Sequence, residues 1–209
     1  MKNALEKNKE YSNQYIQRIE KIEIPGLIKE IIKKTDKIVD LGCGDGGLII
    51  ALKKEFPDKE IIGVDISPRR INTLKNKYPK DKFLCEDVCN TKLKENSFNL
   101  VISTQVIEHV EDDKKLVNEM LRLCKKNGYI YVTSVIKKPW AIYKYRNKGK
   151  FVLDPTHEKE YKNAKEFLDL FRGYFKLIKY KVYSVRRKFL FFEIKIPGYY
   201  IIEGLWQKK

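Results

Sequence analysis

The chain has 209 residues, of which 43% are hydrophobic, so it is long enough to form one domain with a sizeable buried core. Its formal net charge is +16, and residues 136–209 contribute 19 basic against 7 acidic side chains. No apolar run is long enough to span a bilayer, and the four cysteines lack the paired spacing of a zinc site or a disulfide framework. Free thiols without a secretory signal predict a cytoplasmic protein.

The predicted elements begin with a helical cap over residues 1–35, which Pro25-Gly26 interrupts. From Lys37 onward the apolar period changes, and short runs rich in Ile, Val, Leu, Phe and Tyr predict strands at 37–41, 60–66, 82–85, 98–103 and 128–136. Stretches with a helical period lie between these runs. Alternating strands and helices favour right-handed β-α-β units, so residues 37–135 predict the α/β core of a doubly wound, mostly parallel sheet.

The last third of the chain has a different pattern. Residues 136–161 form a basic, aromatic insertion about the size of a lid, and residues 162–209 predict a short amphipathic helix followed by two or three strands. These strands are close enough in sequence to pair as an antiparallel hairpin around Pro197-Gly198. No internal repeat or low-complexity linker separates the segments, so residues 1–209 predict a single domain.

A glycine-rich turn follows the first predicted strand, in the run Asp40-Leu41-Gly42-Cys43-Gly44-Asp45-Gly46-Gly47. Glycine is needed where the backbone approaches a ligand closely or adopts positive φ. Gly42, Gly44 and Gly47 fit the dinucleotide fingerprint G-x-G-x-x-G. Asp40, however, would repel a pyrophosphate placed at this turn, whereas it would attract a ligand that carries positive charge. The turn therefore favours a cationic ligand over a nicotinamide dinucleotide.

Three more motifs follow the turn. Asp65 ends the second predicted strand, where it can accept both hydroxyls of a ribose or serve as the acid at the start of the next helix. Asp87 follows the third strand, where it can meet an adenine amino group or be an ordinary loop residue. The fourth strand ends in Thr104-Gln105, and Glu108-His109 comes shortly after it. Each motif alone is weakly specific, so the signal lies in their order.

In this order the motifs resemble those of the class I S-adenosylmethionine-dependent methyltransferases, over roughly Lys37 to Val135. The resemblance implies a Rossmann-like, seven-stranded sheet with one antiparallel strand, and S-adenosyl-L-methionine as the cofactor. It also implies which residues bind the successive parts of this cofactor: Asp40, Gly42, Cys43 and Gly44 the methionine, Asp65 and Ile66 the ribose, Asp87 and Val88 the adenine, and Thr104 and Gln105 the sulfonium.

The histidines are the candidate catalytic residues. Methyl transfer mainly requires an acceptor held opposite the methyl group, and an acceptor hydroxyl also needs a general base. His109 and His157 are the only histidines in the chain, and both follow predicted parallel strands, where ligands bind in such sheets. The alternatives are a capping role for His109 and an ordinary loop position for His157.

A metal site is a further alternative. The set Gln105, Glu108, His109 and His157 is similar to the metal ligands of the 3′-terminal 2′-O-methyltransferases of small RNAs, in which two glutamates and two histidines hold the ion. Here Gln105 replaces one glutamate, and the loss of an anionic ligand weakens a site for a hard cation. The sequence therefore predicts that no metal is bound and that activity survives chelation.

The acceptor does not follow from the fold. A small molecule methylated on O or N is the first prediction, because the chain has no separate RNA-binding module. RNA is the second, through the basic residues 137–209 and their aromatic side chains, although these charges are equally consistent with a solvated surface. A membrane-associated lipid or quinone is the third, through peripheral contact by Phe189 to Phe192 beside Arg186 to Lys188. A non-enzymatic binding module is disfavoured by the complete motif set.

Overall fold

The computed structural model describes residues 6–7, 9–10, 22–141, 145–147, 149–152, 154–189 and 192–209. Residues 1–5, 8 and 11–21 of the predicted helical cap and several residues of the predicted lid lie outside these ranges. The described part of the cap contains helix α1 at Gly26–Ile31 and a 3-10 turn at Ile32–Lys34. Leu27, Ile28 and Ile32 are fully buried, so this end of the cap packs against the core.

The described elements alternate between strands and helices through the first half of the chain. The strands of the main sheet are β1 Lys37–Leu41, β2 Glu60–Asp65, β3 Lys82–Cys85, β4 Phe98–Thr104, β5 Cys124–Lys137, β8 Phe175–Phe189 and β9 Phe192–Lys208. The helices after α1 are α2 Gly47–Glu55, α3 Pro68–Lys77, α4 Asp113–Leu123 and α5 Ala164–Asp169. No helix in the described part of the chain is both long and apolar enough to cross a membrane.

The seven strands are ordered β3-β2-β1-β4-β5-β9-β8. The first five of these pair in parallel, whereas β9 runs antiparallel to both of its neighbours, β5 and β8. The prediction of a mostly parallel, seven-stranded sheet with one antiparallel strand is therefore confirmed. The strand order reverses between β1 and β4, and ligands bind at such points beyond the carboxyl ends of parallel strands.

Both faces of the sheet are covered, which explains why its strands read as continuous apolar runs. On one face Ile38, Leu100 and Ile102 pack in a cluster with buried residues of α1, α2 and α3. On the other face Val39 and Val101 pack with buried residues of α4 and α5. This arrangement is the doubly wound α/β fold that the alternation of strands and helices predicts.

The C-terminal hairpin differs from the prediction. Pro197-Gly198 lies inside β9, and β8 pairs with β9 as far as Phe189 and Phe192, so the predicted turn position is wrong. Between the pairs Ser184–Tyr200 and Arg186–Lys195 the register shifts, with one residue on β8 opposite residues 196–199 on β9. The Pro-Gly pair therefore marks a bulge, the other setting in which a strand accepts proline and glycine.

The insertion after β5 leaves and rejoins the sheet at neighbouring points. Ile136 forms an isolated parallel bridge with Tyr161, and Lys137 N donates to Tyr161 O at 2.8 Å. Between them lies a small hairpin of β6 Tyr145–Asn147 and β7 Lys150–Val152. The segment thus begins and ends beside the carboxyl end of β5, and its action as a lid stays a prediction.

Candidate functional site

A cavity of about 400 Å³ opens at the carboxyl ends of β1 and β4. Its walls come from the glycine turn, the end of β4, the middle of β5 and residues 22–25. Six of the ten predicted cofactor residues line it: Asp40, Gly42, Cys43, Gly44, Thr104 and Gln105. The glycine turn and the end of β4 therefore meet at one cavity, at the point where the strand order reverses.

Backbone geometry explains the glycines of the turn. Gly42 has φ +84°, and a Cβ added to it would lie 2.2 Å from Val106 Cγ2. Its N–H and that of Cys43 both donate to Val64 O, at 2.7 and 2.9 Å, which ties the turn to the end of β2. Gly44 also has positive φ, at +54°. A side chain at Gly42 would therefore meet both backbone strain and a steric clash.

The predicted ribose and adenine residues do not line the cavity. The Asp65 carboxylate accepts from Gly44 N and from Ser67 N, each at 2.9 Å, so it holds the glycine turn against the start of α3. Ile66 follows it and is half-buried. Asp87 accepts from Cys89 N at 2.9 Å, and Val88 is buried. Asp65 and Ile66 thus lie at the end of β2, and Asp87 and Val88 follow β3.

Asp40 is the most unusual group in the cavity wall. It is 1% exposed, and its Oδ1 atom has no hydrogen-bond partner among the described residues. Burial, and secondarily the charge of Asp65, raise the pKa of Asp40 from 3.8 to about 7. A buried carboxylate oxygen without a donor is costly, and a cationic ligand in the cavity would supply the missing partner.

The end of β4 is strained at Gln105, whose φ is +55°. Its backbone N donates to Thr133 O at 3.2 Å, and its Nε2 donates to Thr133 Oγ1 at 3.2 Å. These bonds hold the residue in a left-handed conformation that non-glycine residues rarely adopt. Backbone strain of this kind is characteristic of functional sites, and Gln105 is a lining residue of the cavity.

Several wall residues carry no signal in the sequence. Arg70 of α3 lines the cavity, with its Nε 3.6 Å from Asp45 Oδ1. Tyr131 of β5 also lines it and donates its hydroxyl proton to the buried Glu203 of β9 at 2.6 Å. Residues 131 and 203 meet through the pairing of β5 with β9, so only the antiparallel register, which the sequence leaves open, brings them together.

The two histidines lie side by side, with ring centroids 4.8 Å apart. Neither lines the cavity, so the structure groups them with each other and not with the cofactor residues. His109 Nδ1 is 2.9 Å from the Thr156 hydroxyl oxygen, and His157 Nδ1 is 2.6 Å from Glu160 Oε1. Burial and the neighbouring His157 lower the pKa of His109 to about 4, so this imidazole is neutral at physiological pH.

Glu108 completes this cluster from the position before His109. Its Oε2 accepts from Ser134 Oγ at 2.9 Å, while Oε1 is buried without a hydrogen-bond partner in the described part of the chain. Burial raises the pKa of Glu108 to about 7. Ligand atoms of Glu108, His109 and His157 all lie within 4.8 Å of one another, a spacing that could hold a metal ion.

Comparison with protein families identifies one matching family model, described as a methyltransferase domain, over residues 39–132. A protein of Methanocaldococcus jannaschii without an assigned function is 37% identical over 116 residues, which cover 55% of this chain and 48% of that protein. A ubiquinone/menaquinone biosynthesis C-methyltransferase of Campylobacter jejuni is 30% identical over 126 residues, 58% of this chain and 50% of the relative. Norajmaline N-methyltransferase of Rauvolfia serpentina is 29% identical over 108 residues, 49% and 37% of the two chains.

The chain thus spans half or less of the length of these curated relatives. Solved structures match over more of the chain. Geranyl diphosphate C-methyltransferase from Streptomyces coelicolor superposes with a TM-score of 0.70 at 12% identity, over 100% of this chain and 99% of that one. An S-adenosylmethionine-dependent methyltransferase from Methanosarcina mazei gives 0.67 at 16%, over 90% and 99%. At such identities the likeness establishes the fold.

Proposed function

We propose that the chain is a class I S-adenosylmethionine-dependent methyltransferase, and that it transfers a methyl group from S-adenosyl-L-methionine to an O or N atom of a small-molecule acceptor. The match of residues 39–132 to a methyltransferase domain supports this proposal. The observation that carries the cofactor side of this proposal is the buried Oδ1 of Asp40 in the cavity wall, which accepts no hydrogen bond from the part of the chain that the structure describes. S-adenosyl-L-methionine, when bound, supplies an activated methyl group on a sulfonium. Its two positive charges match the acidic wall at the glycine turn.

Different residues in and around the glycine turn would bind different parts of the cofactor. Asp40 would pair with a positive charge of the methionine portion, and the missing side chains of Gly42 and Gly44 let the ligand approach the backbone. Asp65 already accepts two backbone N–H groups, and its carboxylate has further lone pairs with which it would accept from the ribose hydroxyls. Thr104 and Gln105 line the cavity at the end of β4, where they would close the site around the sulfonium.

His109 and His157 would act on the acceptor side. The Thr156 hydroxyl donates its own proton to Asp154 Oδ1 at 2.5 Å, so it accepts from the Nδ1–H of His109. The lone pair of the neutral His109 ring is then on Nε2, where it can take a proton from an acceptor. Both histidines come from segments that follow parallel strands, and ligands bind at the carboxyl ends of such strands, which supports this assignment.

The names of the relatives support a small acceptor, since they include alkaloid N-methyltransferases and a quinone C-methyltransferase. None of the described observations favours RNA or a membrane surface over a small molecule. The four cysteines are all free thiols, and we propose the cytoplasm, where thiols stay reduced, as the site of the reaction.

The test is transfer of a deuterated methyl group from labelled cofactor into fractions of an extract of the encoding organism. We expect the label in the small-molecule fraction and at least a ~10²-fold lower turnover in His109→Gln and His157→Gln, the usual size of a general-base effect. The affinity of both variants for S-adenosylhomocysteine should stay unchanged. Label recovered only in RNA or protein would contradict the proposal.

A further inference from the structure

We propose that Tyr131, Tyr183 and Glu203 form a subsite that binds a protonated amino group of the small acceptor. Tyr131 and Tyr183 both line the cavity, and Glu203 belongs to β9, the strand between β5 and β8. The face of an aromatic ring attracts a cation, and a nearby carboxylate adds to this attraction. The inference rests on the proposed function, because it assigns a binding place to the acceptor of that reaction.

The register of the sheet puts this subsite beyond the residues that would bind the cofactor. Thr104 pairs with Thr133, and Thr133 pairs with Glu203, so the three side chains share one face of the sheet. Neighbouring strands are about 4.8 Å apart, which places Glu203 about 10 Å from Thr104 along this row. The cavity thus continues from the end of β4, where the sulfonium would lie, towards β5 and β8.

The hydroxyl of Tyr131 determines which kind of ligand group it can bind. It donates its only proton to Glu203 Oε2 at 2.6 Å. Burial, and after it this hydrogen bond, raise the pKa of Tyr131, so the hydroxyl stays protonated at physiological pH. Towards a ligand it can therefore only accept a hydrogen bond, and its bond to the carboxylate polarises it for that role. An ammonium group is the strongest donor for such an acceptor.

Tyr183 provides the second aromatic ring, from β8. Its side chain is 46% exposed although it lines the cavity, so part of the ring is free to contact a ligand. Burial, and after it the charge of Glu203, raise the pKa of Tyr183, which shows that the carboxylate acts on this ring as well. Both rings at this end of the cavity therefore lie in the field of one buried carboxylate.

Lys181 is the cation with which a ligand would share Glu203. Its Nζ is 3.7 Å from Glu203 Oε1, too far for a hydrogen bond, and its side chain is 48% exposed. Water screens an ion pair of this kind, so Lys181 offsets the carboxylate only in part. A protonated amino group in the cavity would add to this weak pair, and removal of Lys181 should strengthen its binding.

The test titrates protein saturated with S-adenosylhomocysteine with phenethylammonium and, separately, with the neutral phenethyl alcohol, by ligand-observed NMR. We expect the ammonium compound to bind at least about tenfold more tightly than the alcohol. Glu203→Gln keeps a hydrogen-bond partner for Tyr131 but removes the charge, and it should abolish most of this preference. Lys181→Met should raise the affinity for the ammonium compound about two- to fivefold.

Matched controls come from the same two elements. Tyr183→Leu should lower the affinity for the ammonium compound about two- to fivefold, whereas Tyr180→Leu, equally exposed on the opposite face of β8, should not change it. Glu30→Gln removes an exposed carboxylate that pairs with Lys179 and does not line the cavity, so it should bind as the wild type does. Circular dichroism checks that the variants fold.

Equal binding of the two compounds by the wild type, or an undiminished preference in Glu203→Gln, would overturn the subsite. The methionine portion of the cofactor also carries an ammonium group, so the affinity of Glu203→Gln for S-adenosylhomocysteine is measured as well. A weakened affinity there would assign the carboxylate to the cofactor and would equally overturn the acceptor subsite. A wild type that binds no S-adenosylhomocysteine would contradict the proposed function, while the ammonium preference still decides the subsite.

Discussion

Replacing Asp40 with asparagine tests the electrostatic account of the cavity. Burial raises the pKa of Asp40 to about 7, and the ionised form is the one that attracts a cationic ligand. Binding then releases a proton below pH 7. For one group with this pKa, the affinity for S-adenosylhomocysteine should fall about tenfold, or about 1.4 kcal/mol, between pH 8 and pH 6.

Asp40→Asn should remove this pH dependence and weaken binding at pH 8 by about 1.5–3 kcal/mol, the loss expected for one charge-assisted hydrogen bond. Isothermal titration calorimetry over pH 6–8 measures both effects. Any pH dependence that remains in Asp40→Asn comes from ionisation of the ligand and can be subtracted from that of the wild type. Asp169→Asn, which removes a partly exposed carboxylate of α5 that does not line the cavity, is the matched control and should bind the ligand as the wild type does.

The same substitution should have the opposite effect on stability. The folded-state pKa of Asp40 lies above its unfolded value of 3.8, so the folded state binds the extra proton more tightly. The free energy of unfolding therefore falls as the pH rises from about 4 to about 7, and Asp40→Asn should stabilise the ligand-free protein at pH 8 by about 2–4 kcal/mol. An Asp40→Asn protein that is both less stable and pH-dependent in binding would refute the reasoning.

Three further predictions concern packing and charge. Gly42→Ala should abolish cofactor binding because its Cβ would lie 2.2 Å from Val106 Cγ2, and the additional substitution Val106→Ala should partly restore binding. The control is Gly173→Ala, at φ +94° with open space around it. This variant should lose only ~1–2 kcal/mol of unfolding free energy through backbone strain, measured by denaturant unfolding. Arg122→Ala should cost about 1.5–3 kcal/mol in the same assay, because the buried Glu119 carboxylate loses its countercharge and keeps only the hydrogen bonds from Thr91. The exposed Arg172→Ala should cost less than ~1 kcal/mol. The affinity for RNA should be weak and should not fall steeply between ~50 and ~300 mM salt. A submicromolar affinity that falls steeply with salt concentration, as contacts to phosphates require, would favour an RNA acceptor instead.

Much of the fold follows from the sequence because the strands of a doubly covered parallel sheet are continuous apolar runs. The runs at 37–41, 60–66 and 82–85 correspond closely to β1, β2 and β3. The hairpin turn was misplaced because proline and glycine serve bulges as well as turns. Gly198 has φ +80°, and its Cα packs so close to Ala141 that an added Cβ would lie 2.5 Å from the alanine methyl group.

The candidate site could likewise be predicted from the sequence only in part. Asp40, Gly42 and Gly44 could be identified because their spacing in one turn reflects a local backbone requirement. Arg70 and Tyr131 could not, since their places in the cavity wall depend on how separate elements pack. The meeting of His109 with His157 depends on the return path of the insertion after β5, which no local pattern specifies. Contacts between distant segments are therefore the part that required the structure.

The measurement that tests the central claim most directly is calorimetric titration of the purified protein with S-adenosylhomocysteine and, separately, with NAD. The acidic, glycine-lined cavity predicts micromolar binding of S-adenosylhomocysteine, and Asp65→Ala should weaken it by about 1.5–3 kcal/mol through loss of charge-assisted hydrogen bonds. NAD should bind far more weakly, because Asp40 opposes its pyrophosphate. Tighter binding of NAD than of S-adenosylhomocysteine would contradict the account.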